Sequence, residues 1–147
     1  MVVDSSAFVA FVLHEDERPV FEELILGSSR ASMSVVSIVE SAIALLNRIE
    51  GFNPSEVDEI VAGLGIDVQP VDLEQGQVAR AAFARYGRDR HAAKLNFGDC
   101  FAYALAKVRH DELLFKGDDF AKTDIAAAWR STTLRLSGGG IDGGLPC

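Results

Sequence analysis

Five carboxylates hold most of the chemistry available to this chain. Asp4 closes the apolar run Met1-Val2-Val3, and Glu40 interrupts the long apolar segment that begins at Val35. Asp99 follows Gly98 at the head of the Ala-rich stretch Phe101–Val108, and Asp118-Asp119 come just after Leu113-Leu114-Phe115. Each acid therefore stands at the edge of something apolar. Carboxylates gathered into one pocket repel and raise one another's pKa values unless a cation neutralises them. With no His or Cys in the set, oxygen ligation points to Mg²⁺ or Mn²⁺. Such a site activates a water and stabilises charge building on a phosphoryl group, so phosphodiester hydrolysis is the natural chemistry.

Each acid also has a plainer reading. Asp4 and Asp99 fit helix N-caps, where a carboxylate accepts backbone N–H bonds and meets the positive end of the dipole. Glu40 has Val36, Val39, Ile43 and Ala44 as helical neighbours, so it projects from an apolar face, although its long stem can reach a surface.

Composition narrows the class. At 147 residues with 48% hydrophobic and 24% charged content, the chain has the makings of one soluble domain with a real core. No apolar run reaches the ~18 residues of a membrane span. The N-terminus lacks the basic and small-residue features of a signal peptide, so a cytosolic protein is expected. Cys100 and Cys147 support neither a disulfide framework nor a zinc site.

The net charge of −8 argues against broad attraction to nucleic acid. Its distribution is uneven, however. Arg80, Arg85, Arg88, Arg90 and Lys94, opposed only by Asp89, run directly into Asp99. The run reads either as a solvated helix face or as an edge that positions phosphates.

Strand and helix patterns alternate along the chain. A buried strand at 1–4 is followed by a helix from Ser5 or Ser6, although Val and Phe leave 7–13 open between helix and strand, and a second helix begins near Pro19 and runs to about Gly27. A weak strand at 31–33 precedes Ser34, an N-cap for a helix from Val35 to about Glu50. Asn53-Pro54 opens a helix ending near Gly63 or Gly65, 66–71 reads as a strand, and another helix extends from Asp72 or Leu73 to about Tyr86. After the basic loop 87–94, a helix from Asp99 to His110 leads to the strand 113–115, and Asp124-Ile125 adds a last short strand. Such alternation implies a parallel sheet with helices on both faces, which gathers the acids at its carboxyl edge. From Ala126 the pattern dissolves, and the Gly-rich 137–147 reads as disordered.

No rival chemistry is as well supported. His14, His91 and His110 fall in polar turns or at helix ends, and no Gly-rich phosphate loop precedes a helix. A phospho-accepting receiver domain also uses an acidic Mg²⁺ pocket, with Lys116 as its candidate lysine, but mid-chain Asp67 and Asp72 make poor acceptors. A non-catalytic acidic module that binds a basic partner stays open.

Taken together, Val3-Asp4-Ser5-Ser6, Ser37-Ile38-Val39-Glu40, Asn96-Phe97-Gly98-Asp99-Cys100 with Tyr103-Ala104-Leu105-Ala106, and Leu114–Phe120 with Thr123-Asp124-Ile125 resemble a PIN domain. The chain is particularly similar to the VapC toxins of bacterial toxin–antitoxin pairs. The resemblance implies a PIN-like three-layer α/β/α fold with a central, mostly parallel sheet. It also implies a Mg²⁺- or Mn²⁺-dependent endoribonuclease that cuts structured RNA such as transfer RNA, commonly dimeric and inhibited by a VapB-like antitoxin. Asp4, Glu40 and Asp99 match the family's acidic triad, and Ser6 matches a hydroxyl residue beside substrate. Because position 117 is Gly, the fourth acidic role falls on Asp119, with Asp118 its alternative. Arg85, Arg88, Arg90 and Lys94 are the candidates for holding RNA. The resemblance makes 1–126 the nuclease domain and leaves 127–147 as a tail outside it.

Overall fold

The structure is a computed structural model and describes residues 1–131. Four short strands form one parallel sheet: β1 (Val2–Val3), β2 (Ser32–Ser34), β3 (Asp67–Gln69) and β4 (Leu113–Leu114), in the order β3-β2-β1-β4. Helices α1 (Ser5–Val12), α2 (Arg18–Gly27), α3 (Val35–Leu46), α4 (Glu56–Gly63), α5 (Leu73–Tyr86) and α6 (Phe97–Arg109) connect them, and a 3-10 turn spans Phe120–Lys122. This is the three-layer α/β/α arrangement expected from the alternating pattern.

Alternation along the strands builds two cores. Val2 and Leu113 point to the side covered by α5 and α6, where they pack with Tyr86, Leu95, Tyr103 and Leu105. Val3 and Leu114, one residue on, point to the other side and meet Phe8, Phe21, Leu45 and Val57. Strands buried on both faces favour apolar side chains, which is why β1 and β4 read as continuous apolar runs, while β2 admits the small, buried Ser32 and Ser34.

Several boundaries shift from the sequence reading. Helix α3 stops at Leu46, four residues short of Glu50, and the chain turns through Gly51 at φ 75°. Helix α6 begins two residues before Asp99, because Asn96 and Asp99 form a capping box: Asn96 Oδ1 accepts from the Asp99 N–H at 2.9 Å and Asp99 Oδ2 accepts from the Asn96 N–H at 2.8 Å. No strand forms at Asp124-Ile125. Instead Ala127 bridges to Leu113, and Trp129 then packs edge-on against Phe21 at 5.2 Å. Among the described residues no helix is long and apolar enough to cross a membrane. The segment 137–147, expected to be disordered, lies outside the described residues.

Candidate active site

The carboxyl edge of the sheet assembles the acids from three directions. Asp4 leaves β1 with its N–H donating to Leu114 O at 2.9 Å, which fixes the residue at the strand end. It is also the N-cap of α1: its Oδ2 accepts from the Ser6 N–H at 2.9 Å and the Ser6 hydroxyl at 2.5 Å. The cap reading is thus met. Only 1% of Asp4 is exposed, and its Oδ1 is buried with no hydrogen-bond partner among the described residues. Burial holds its carboxyl above the ordinary range, against the pull of the Ser6 hydrogen bonds.

Glu40 reaches the same edge from α3, where it accepts a long 3.4 Å hydrogen bond from the Ser5 hydroxyl. Burial, then the charges of Asp4 and Asp99, push its pKa up to about 7. Asp99 sits in the first turn of α6. Burial and Asp4 raise its pKa to about 6, with Asp119 adding to the effect and the cap hydrogen bond and Arg88 opposing it. Three acids that repel one another through a poorly solvated space define a single centre.

Asp119 is exposed and touches this centre through its charge on Asp99. Asp118, also exposed, lines a separate cleft with Glu17 and Arg130. The basic residues divide in the same way. Arg88 lies close enough to act on Asp99. Arg85 instead pairs with Asp124 at 3.8 Å and stacks on Tyr86, while Arg90 lies over Phe83. Lys94 is exposed in a loop at φ 52°.

Ser6 does more than accompany the first acid. Its hydroxyl donates to Asp4 and accepts from the Lys116 N–H at 3.0 Å, so it ties the start of α1 to the segment after β4. Three site neighbours escaped the sequence reading. Ser5 bonds Glu40; Asn96 sets the α6 start, and its spacing of three from Asp99 is a capping-box signature. Gly98 lets the Glu40 carboxylate lie directly over the α6 backbone, a role flagged only by a glycine inside a helix.

The donor set suits a hard divalent cation. It is all oxygen, it contains a buried oxygen with nothing to bond, and its members repel. Among the described residues, however, no three acid, His or Cys side chains are closed up as a finished cage. An Mg²⁺-type ion does not require one, since it is held by one or two carboxylates with waters and phosphate oxygens.

Comparison with known proteins places the fold in a family. The PIN domain model matches residues 1–126. A ribonuclease VapC of Mycolicibacterium smegmatis is 41% identical over 127 residues, covering 86% of this chain and 98% of its own. Ribonuclease VapC30 of Mycobacterium tuberculosis is 40% identical over 126 residues, covering 86% and 96%. Among solved structures, the Mycobacterium tuberculosis toxin VapC20, described as cleaving the sarcin-ricin loop, superposes with a TM-score of 0.68 at 13% identity, over 85% of this chain and 95% of that one. A toxin–antitoxin complex from Klebsiella pneumoniae gives 0.62 at 14% identity, over 84% and 92%. The fold is that of a PIN domain, and the chain belongs to that family, among its VapC ribonucleases.

Proposed function

We propose that this protein is the toxin of a toxin–antitoxin pair, a divalent-metal-dependent endoribonuclease that hydrolyses phosphodiester bonds in structured RNA at the Asp4, Glu40 and Asp99 centre. The observation that carries the reading is the buried, unpartnered Oδ1 of Asp4 in a centre where burial, and then the charge of Asp4, pushes Glu40 and Asp99 toward protonation. An uncompensated carboxylate oxygen is costly, and a cation relieves that cost. The names of the curated relatives support ribonuclease activity.

Asp4, Glu40 and Asp99 would hold Mg²⁺ or Mn²⁺, with Asp119 at the rim. When bound, such an ion lowers the pKa of water and neutralises charge on the phosphoryl oxygens. The protein's part is placement. Ser6 keeps one oxygen of Asp4 occupied, which leaves the buried Oδ1 without a hydrogen-bond partner, and the Asn96–Asp99 box holds Asp99 Oδ2 in the same way. Arg88 stands beside the acids as a contact for flanking phosphate, with Arg90 and Lys94 farther along the same arm.

The inhibitor in this reading is an antitoxin that inserts an Arg or Lys among the carboxylates, where a charge-assisted pair replaces the ion. Neutralising that cation should weaken inhibition and restore metal binding. A cytosolic site of action and self-association belong to the same proposal, the latter supported by the exposed Val39 and Ile43 on α3, each 54% exposed. The test is RNA cleavage by purified protein, lost in EDTA and in Asp99→Asn. Intact RNA in the presence of metal, with no antitoxin, would leave the acidic binding module as the better account.

A further inference from the structure

Beyond the segment that the family model matches, the chain adds one aromatic residue. Trp129, the only tryptophan in the sequence, is held near the carboxyl edge by the hydrogen bond from the Ala128 N–H to Leu113 O at 2.9 Å. Phe21 braces its ring edge-on at 5.2 Å and 86°. The half-buried indole forms one wall of a cleft of about 440 Å³, with Glu17, Lys116, Asp118, Ala121 and Arg130 around it. This cleft is close to the acids. The backbone N–H of Lys116 donates to the Ser6 hydroxyl that bonds Asp4, and Asp118 precedes the acid that acts on Asp99.

We propose that the cleft is a subsite for one unpaired RNA base next to the bond being cut, stacked on Trp129 with its phosphate near Arg130. The proposal rests on the ribonuclease reading and specifies its substrate: a strand with at least one base free of pairing at that position. Three features favour a base over a protein side chain. The cleft adjoins the edge where a scissile phosphate would lie. A planar aromatic wall next to a cation matches the two faces of a nucleotide, π surface and phosphate. Its lysine is already engaged, because Lys116 Nζ binds both Glu15 at 2.5 Å and Glu17 at 2.9 Å, whereas among the described residues Arg130 forms no ion pair and is the cation open to a phosphate.

Because there is one tryptophan, its emission reports on the cleft directly. The experiment titrates full-length Asp99→Asn protein with a short unpaired RNA and with the blunt duplex of the same strand, following Trp emission and the anisotropy of labelled RNA. Steady-state cleavage is measured in parallel for the parent, Trp129→Phe and Trp129→Ala, with melting temperatures as a check on folding. The expected result is quenching by unpaired RNA that saturates with the anisotropy and is absent for duplex. Trp129→Ala should raise KM about tenfold at nearly unchanged kcat, with Trp129→Phe close to the parent. Emission that stays constant while anisotropy saturates overturns the base subsite and leaves the ribonuclease reading standing. Emission that responds to antitoxin but not to RNA overturns it in favour of a protein-binding cleft. Absence of both RNA binding and cleavage overturns the ribonuclease reading, and the subsite with it.

Discussion

The Glu40 carboxylate occupies the space where a side chain on Gly98 would begin. A Cβ at position 98 would lie 1.9 Å from the Glu40 carboxyl carbon and within 2.0 Å of both its oxygens. Gly98 is buried in the first turn of α6, so α3 and α6 approach each other over this one missing methyl group. That contact both shields Glu40 from water and brings its charge near Asp99.

Gly98→Ala therefore separates folding from activity. The obstacle is the end of a flexible side chain, which can swing away, and Ala favours a helix over Gly by up to ~1 kcal/mol. The melting temperature should hold or rise. Cleavage should fall by about 100-fold, the cost of a catalytic group displaced by about an ångström. A variant as active as the parent would show that Glu40 is not needed where the structure places it.

Without metal, the centre should make the protein less stable as pH rises. Burial first, and then neighbouring charge, lift Glu40 from 4.5 to about 7 and Asp99 from 3.8 to about 6. The folded state thus binds more protons than the unfolded state across that window. Its stabilising contribution is complete below the unfolded values and is lost as pH climbs through about 6 and 7. Denaturant melts in EDTA should lose ~1 kcal/mol between about pH 5 and 8, a figure discounted for the partial exposure of both groups. Excess Mg²⁺ should flatten or reverse the slope, since an ion favours the charged carboxylates. A flat profile in EDTA would contradict the shared centre.

The basic arm should not act as a block. Arg88 influences Asp99, whereas Arg85 is engaged by Asp124, which also accepts from the Tyr103 hydroxyl at 2.7 Å and Lys107 at 3.2 Å. Arg88→Ala should raise KM for RNA severalfold and reduce the slope of log affinity against log salt by about one. Arg85→Ala should leave both nearly unchanged. Equal effects would mean that the whole arm lies on the RNA path.

The sequence was most legible where local chemistry decides the outcome. Val2-Val3 followed by Asp4-Ser5-Ser6 reads as a buried strand with a carboxylate at its end and a helix start behind it, while the apolar 7–13, open between helix and strand in sequence, is helical to Val12. Glu40 stands out in the sequence for its apolar helical neighbours. Its neighbours Val39 and Ile43 are about half exposed, so the helix face around it is not buried; the approach of Gly98 buries the carboxylate instead. No periodicity within α3 encodes that contact, because it depends on how two helices distant in sequence pack. Helix α6 starts ahead of Asp99, the opening residue that the sequence suggests, because Asn96 is the cap and Asp99 its reciprocal partner. Asp124 lies in no strand since its bonds to Tyr103 and Lys107 turn it toward α6, and the pairing expected there passes to Ala127. Trp129 gave no signal at all, as its position depends on Phe21, far away in the chain.

The claim that Asp4, Glu40 and Asp99 form one cation site that drives RNA cleavage is tested most directly by calorimetric titration of Mn²⁺ into the parent and into Asp4→Asn, Glu40→Gln and Asp99→Asn, with Asp118→Asn as a control and RNA cleavage measured on the same samples. The account expects the parent and the control to bind Mn²⁺ alike. Each of the three variants should bind at least about tenfold more weakly and lose cleavage in step, since each removes a charged ligand from a shared site. Undiminished Mn²⁺ affinity in all three, or cleavage that persists where binding is lost, would contradict it.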